Sequence, residues 1–347
     1  MDINKLEAIL KEKNQPKFRL AQVKKAVFQD GVCLFSEITA LPKDLREVLD
    51  REIKILPFKA EKVQSTKGSY KALLKLNDGN FIETVLISPK PGIWSVCVSS
   101  QVGCVLGCSF CATGKMGFKR NLTAEEISSQ VLFWRQYLKK NKKCDVSNIV
   151  YMGMGEPFLN WENVRESLKI LIDKNLFGFG SRSISVSTAG IPEGIEKLTD
   201  EFPQINLAIS LHFADNEKRS RYMGINKKYD LSRIKTAIQK YLGKIKRKIF
   251  IEYLMLDNIN DNIEDADNLI KFLKSTGKNC LLHVNLIRYN ETPGILKPSS
   301  NNKAHEFKDY LEKNNISVTI RKSLGEEIKA ACGQLAGSSR LGGEKRL

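Results

Sequence analysis

Six short apolar segments of strand type, at 94–98, 147–151, 183–187, 205–210, 249–254 and 280–286, alternate with helical stretches near 123–139, 161–174, 192–200, 230–242, 264–275 and 302–314. A strand, a crossover helix and a second parallel strand form one unit, and consecutive units build a parallel sheet covered by helices. Six units can curl that sheet into a partial (β/α)6 barrel, with a flat doubly wound sheet as the alternative. The class is therefore α/β before any single residue is considered.

Residues suited to chemistry follow the strands. Cys104, Cys108 and Cys111 come after the first; Gly153, Gly155, Glu156 and Pro157 after the second; Ser187 to Gly190 at the third; Ser210, Leu211 and His212 at the fourth; Arg288 and Asn290 at the sixth. The carboxyl ends of parallel strands share one mouth, where such folds keep their active sites. Singly, a glycine turn or a serine at a strand end is usually local hydrogen bonding. Grouped at one mouth, they form a binding surface.

The cysteines have C-x3-C-x2-C spacing, with Phe110 before the third and no nearby Cys or His to complete a tetrahedral set. A structural zinc site closes with four protein ligands, whereas an iron-sulfur cluster on three cysteines leaves one iron open to another ligand. Zinc, or three unrelated core thiols, is the weaker alternative.

The chain of 347 residues carries a formal charge of +17, which favours a polyanionic partner. Residues 218–248 hold twelve Lys or Arg against the single acid Asp230, and 115–143 hold eight against Glu125 and Glu126. Either run alone is as readily a solvated helix face; two on one basic chain favour contact with a nucleic-acid backbone. With neither a signal-peptide pattern nor a long apolar run, the reading is of a cytoplasmic protein without a membrane segment. In such a compartment eight cysteines point to metal or catalytic thiols, with room for one transient disulfide.

Upstream, Ile3, Leu6 and Leu10, then Leu20, Val23 and Val27, then Leu45 and Leu49 recur at helical spacing. Around 60–88, Tyr70, Ala72, Leu74 and Leu76 alternate, Asn77-Asp78-Gly79-Asn80 supplies a turn, and Phe81 to Ile87 returns as a second strand. The expected organisation is a helical RNA-binding module at 1–58, a β-hairpin linker at 59–90 and a barrel at 91–347 ending in a cysteine loop.

The runs Cys97-Val-Ser-Ser-Gln-Val-Gly-Cys104, Cys111-Ala-Thr-Gly, Arg120-Asn-Leu-Thr123, Met152-Gly-Met-Gly-Glu-Pro, Leu211-His212, His283 to Asn290 and Ala331-Cys-Gly-Gln-Leu335 resemble the RlmN-type RNA methyltransferases. These are radical S-adenosylmethionine (SAM) enzymes that methylate carbon 2 of an adenine in 23S ribosomal RNA and in the anticodon loop of transfer RNA. The sister Cfr-type enzymes methylate carbon 8 of the same ribosomal adenine; Pro157, after Glu156, is similar to the RlmN pattern. The resemblance implies a [4Fe-4S] cluster on Cys104, Cys108 and Cys111, two SAM consumed per methylation, and SAM contacts at Gly155, Glu156, Ser187, Ser210, Leu211, His212 and Asn290. It also implies working thiols at Cys332 and Cys97, a base at Glu83, an electron donor such as flavodoxin or ferredoxin, and a monomer. From the residues alone, Cys97 reads as core, Cys332 as a loop thiol, and Glu83 as either a solvent-edge carboxylate or one placed near chemistry. Cys33, Cys144 and Cys280 match no motif and read as structural. A non-catalytic iron-sulfur or zinc protein that binds RNA would leave Cys97 and Cys332 idle.

Overall fold

Asp2 opens the chain's first helix, α1 (Ile3–Glu12), by accepting the Lys5 N–H at 2.9 Å, as an N-cap carboxylate does. The structure, a computed structural model, describes residues 1–292, 294–321 and 323–336. α2 (Phe18–Lys24) runs on into a π-turn ended by Gly31 at φ 76°, and α3 (Lys43–Glu52) starts after Pro42. Leu6, Val23, Val27, Leu45 and Leu49 are buried between these helices, at the helical spacing expected.

Four antiparallel strands follow: β1 (Phe58–Thr66), β2 (Ser69–Leu76), β3 (Phe81–Lys90) and β4 (Ile93–Cys97). Beyond them come β5 (Gln101–Gly103), α4 (Ala112–Lys115), β6 (Phe118–Asn121), α5 (Ala124–Lys142), β7 (Asn148–Tyr151), α6 (Trp161–Ile172), β8 (Ile184–Thr188) and α7 (Pro192–Glu201). The chain continues through β9 (Asn206–Ser210), α8 (Asn216–Tyr222), α9 (Leu231–Lys244), β10 (Ile249–Met255), α10 (Ile263–Ser275), β11 (Leu282–Arg288), α11 (Asn301–Lys313) and β12 (Ser317–Arg321). One sheet has the order β1-β2-β3-β4-β7-β8-β9-β10-β11-β12, parallel from β4 to β12, while β5 and β6 pair separately. The sequential strand order is that of a barrel wall, which a doubly wound sheet would break by reversing direction.

Two strands exceed the expectation. The linker is a three-strand meander continuous with the barrel sheet, because β1, with Lys59, Glu61 and Lys62 exposed at the sheet edge, lacks an apolar alternation. β12 adds a seventh parallel strand. α5 is the shared wall: Gln136 donates to Val32 O at 2.8 Å, Arg135 donates to Phe28 O, and the amino terminus pairs with Glu125 at 2.6 Å, so the helical module is docked on the barrel.

The basic run at 218–248 is partly internal. Arg219 is fully buried and donates to Ala189 O at 2.6 Å, Leu211 O at 3.2 Å, Asn226 Oδ1 at 2.8 Å and Tyr229 O at 3.3 Å, tying the exits of β8 and β9 together. Lys218 pairs with Asp265, Arg233 with Glu193, and Lys244 with Asp200. Of this run, Arg221, Lys227 and Lys228 are among the residues left exposed. Arg219→Met, which strands buried acceptors, should cost roughly 3 kcal/mol of stability in denaturant melts and leave the salt slope of RNA binding unchanged. A stable variant with a flatter salt slope would return Arg219 to the RNA interface.

Candidate active site

β5 and β6 pair beneath the cysteine loop, and the Cys104 N–H donates to Gly117 O at 2.9 Å. Gly103 has φ 77°, and a Cβ there would lie 1.9 Å from Gly117 O, so only glycine passes this crossing. A Cβ at Gly114 would come within 2.9 Å of Cys108 N, which is why α4 sits backbone to backbone against the loop. Burial pushes the Cys104 thiol up to about 12 and Cys108 upward in the same direction, and the charges of neighbouring cysteines of the triplet add to both shifts. Unligated, these two sulfurs hold their protons, and binding iron would release them. Among the described residues, no three His, Cys, Asp or Glu side chains converge as a single ion would require. Three soft thiol donors on one loop fit a larger iron-sulfur cluster better than a mononuclear zinc.

Glu156 lies beside this loop. Its own N–H donates to Gln101 Oε1 at 2.9 Å, and its carboxylate accepts the Ala189 and Phe158 N–H groups at 2.7 and 3.1 Å. Burial raises its pKa to about 7 despite those donors. Gly155 has φ +98°, and a Cβ there would strike the Gln101 side chain at 2.5 Å. Ser187 and Ser210, on neighbouring strands, bring their hydroxyls to 3.2 Å at the mouth, and Leu211 beyond them is fully buried. Asn290 is buried with Oδ1 unpartnered, a polar atom available to a ligand.

His212 is buried in the left-handed region at φ 58°, its ring edge-on to Phe110 with centroids 5.2 Å apart. Burial, followed by the positive charge of Arg219, lowers its pKa to about 3. Its Nδ1 accepts the Leu254 N–H at 3.2 Å, so the neutral ring carries its proton on Nε2. A non-glycine residue in this backbone region is uncommon and concentrates at ligand sites.

Cys97 ends β4, and Cys332 rides on a segment at 323–336 that passes over the mouth. The Ala112 N–H donates to Gly333 O at 2.8 Å, Thr113 Oγ1 to Leu335 O at 2.6 Å, and Asn290 Nδ2 to Cys332 O at 3.2 Å. The strap is thus bonded directly to the helix of the cysteine loop. Burial pushes Cys97 up to about 12, and the nearby Cys332 adds to the shift. Cys332 is exposed to solvent; the protein packed around it raises its thiol and the Arg321 charge opposes that rise. Glu83 is not at a solvent edge: it is buried, paired with Lys71 at 2.9 Å, and accepts the Ala336 N–H, on the segment that carries Cys332, at 2.7 Å.

Arg321, Lys71, Gln101 and Thr113 were not anticipated. Arg321 pairs with Glu252 at 3.2 Å, which accepts from Asn285 at 2.9 Å, which accepts from Thr319 at 3.0 Å. Glu252, Asn285 and Thr319 are register partners across β10, β11 and β12, so recognising β12 would have revealed the rung. Cys33 and Cys280 are exposed, which corrects their reading as structural. Positions 337–347 of the cysteine loop lie outside the described residues.

Residues 98–273 match the model of the radical SAM superfamily, and residues 1–55 match the ribosomal RNA large subunit methyltransferase N-terminal domain. A ribosomal RNA large subunit methyltransferase Cfr from Bacillus velezensis is 40% identical over 340 residues, covering 96% of both chains. The chain belongs to the RlmN/Cfr family of radical SAM RNA methyltransferases. A probable dual-specificity RNA methyltransferase RlmN from Syntrophomonas wolfei is 39% identical over 349 residues, covering 98% of this chain and 97% of that one. A crystal structure of a radical SAM methyltransferase from Sphaerobacter thermophilus superposes with a TM-score of 0.90 at 36% identity, covering 97% of this chain and 98% of that one. As a member of this family the protein is a SAM-dependent RNA methyltransferase whose cofactors are an iron-sulfur cluster and SAM. Among the described residues no helix is long and apolar enough to cross a membrane.

Gly155→Ala should weaken SAM binding roughly tenfold, since about 1–3 kcal/mol of backbone strain falls at the site. Gly180→Ala, with open space around the new methyl, is the control. Calorimetry on cluster-loaded protein checks this, and equal affinities would remove Gly155 from the SAM site.

Proposed function

We propose that this enzyme methylates carbon 2 of an adenosine in 23S ribosomal RNA and in the anticodon loop of transfer RNAs, through a methylated Cys332. The observation that carries the reading is the bonding of the Cys332 strap to α4, which sets a nucleophilic sulfur beside the cysteine loop. The choice of carbon 2 rests on Gly155-Glu-Pro-Phe-Leu-Asn160, where Pro157 opens a short 3-10 turn and Asn160 Nδ2 reaches Ser100 O and Leu122 O at 2.8 Å each. Overall similarity does not choose, since relatives named Cfr and RlmN stand at 40% and 39%.

Carbon 2 of adenine is electron-poor and has no acidic proton, so it cannot displace the methyl group of SAM directly. Cys104, Cys108 and Cys111 would hold the cluster, which with SAM would supply a radical able to remove a hydrogen atom from an unactivated methyl group. The remaining steps belong to the chain. Cys332 Sγ takes the methyl carbon of one SAM and S-adenosylhomocysteine leaves. Once that carbon radical has bonded to the ring, Glu83 takes the ring proton and the adduct gives up its unpaired electron, which would return to the cluster and offset the one spent in forming the radical. Cys97 then attacks Cys332 Sγ, and the disulfide forms as the carbon–sulfur bond breaks and the freed carbon gains a proton. SAM contacts fall to Gly155, Glu156, Ser187, Ser210, Leu211, His212 and Asn290, which lie at or just after the carboxyl ends of the parallel strands. The target base would be extruded toward Cys332 while exposed cations hold the backbone. A monomer in the cytoplasm, reduced by a small electron carrier such as flavodoxin or ferredoxin, suits this scheme.

Mass spectrometry of nucleosides from RNA exposed to the enzyme should show 2-methyladenosine; an 8-methyladenosine product would overturn the assignment in favour of Cfr-type chemistry. Ala at any of Cys104, Cys108 or Cys111 should remove the brown chromophore and all methylation, and full iron binding by the triple variant would refute the cluster assignment. Cys97→Ala should accumulate a nuclease-sensitive protein–RNA adduct through Cys332, absent from Cys332→Ala. Activity in Cys332→Ala would rule out the covalent route.

A further inference from the structure

Lys71 and Glu83 face each other across β2 and β3, each 3% exposed, with Nζ 2.9 Å from Oε1. Removing two charges from water costs several kcal/mol per ion, so a pair this deep is weak evidence for stability and a better candidate for holding a specific arrangement. The pair has further bonds. Lys71 Nζ donates to Lys329 O at 3.2 Å, and Glu83 Oε2 accepts the Ala336 N–H at 2.7 Å. Lys329 and Ala336 bracket Cys332, so one ion pair grips both feet of the loop that carries the sulfur. Outer contacts come from β1 and β2: Thr66 Oγ1 donates to Glu327, and Gly325, at φ 79°, packs against Ser69.

We propose that Lys71 is a positioning residue for the methyl-accepting thiol: it seats the Cys332 loop so that Sγ lies in line with the methyl group of SAM. The inference rests on the reading of Cys332 as methyl acceptor. In that step the Sγ–methyl bond forms, the bond from the methyl carbon to the SAM sulfur breaks with its electron pair going to that sulfur, and the thiol proton passes to the solvent to which Cys332 is exposed. Lys71 makes and breaks no bond. In-line displacement is sensitive to placement, and an error of about 1 Å can cost on the order of a hundredfold in rate. Ala112, Thr113 and Asn290 hold the loop from the barrel side; Lys71, with Glu83, holds it from the meander side. Without Lys71 the loop keeps its barrel anchors and loses its grip at Lys329.

The test uses the full chain, reconstituted anaerobically, with SAM and no RNA, and follows methylation of the Cys332 peptide by mass spectrometry. Lys71→Met should slow methylation at saturating SAM by roughly tenfold or more, with iron content and the KM for SAM unchanged. Lys71→Arg, which keeps the charge and a donor, should restore much of the rate. A purely stabilising role predicts a lower Tm with a wild-type methylation rate at a permissive temperature, and that result overturns the proposal. Should Lys71→Met fail to fold, Lys71→Gln, which keeps a donor but drops the charge, is read in the same way. If the wild-type chain never gains a methyl group on Cys332, the reading of Cys332 falls and takes this inference with it. If it does and Lys71→Met matches it, only the inference falls.

Discussion

Two hydrogen bonds, from Ala112 N–H to Gly333 O and from Thr113 Oγ1 to Leu335 O, join the segment bearing Cys332 to the helix that follows the cysteine loop. The residues they connect are more than two hundred positions apart in sequence. Everything proposed for the chemistry needs the sulfur and the cluster to share one small volume. The meander and the seventh barrel strand both bear on that contact. β2 and β3 supply Lys71 and Glu83, which hold the segment from the other side, and β12 delivers the chain to the mouth from which the segment departs.

Tight backbone crossings provide the rigidity. Gly103 passes Gly117, Gly114 lies against Cys108, and Gly153 sits so close to Val98 that a Cβ would approach its carbonyl oxygen to 2.6 Å. Such contacts bring main-chain donors and acceptors within reach of a ligand. They also leave little room for the loops to relax, so the mouth is formed before SAM arrives, the condition under which polar groups act most strongly on a reacting molecule.

The barrel was legible because its strands are short apolar runs between amphipathic helices, and the observed elements match the expected ones to within a few residues. β1 was missed because Lys59, Glu61 and Lys62 face solvent and give no alternation; β12, a strand of only five residues close behind α11, offers little apolar signal. At the site, the Cys104 triplet and the glycines after β7 can be read from spacing, since close packing and metal ligation demand particular residue types. Cys97, Cys332 and Glu83 stood out only through family resemblance: a thiol in a strand, a thiol in a loop and an acid in an apolar face each have ordinary explanations. Lys71 and Arg219 were invisible as buried cations because a lysine or arginine is normally a surface residue, and only the fold shows which of the 56 are enclosed.

The raised thiols carry a consequence for the end of the cycle. Cys97 and Cys332 both hold their protons more tightly than a free cysteine, so each is a poor leaving group when a third thiol attacks a bond between them. On the proposed scheme every methyl group delivered leaves the enzyme locked in that bond. Return to the starting state then depends on how easily a small dithiol reaches this bond, and Cys332, the more exposed of the two, is the sulfur it would meet. The pace of RNA modification would follow the reducing power of the surrounding cell as much as the supply of SAM.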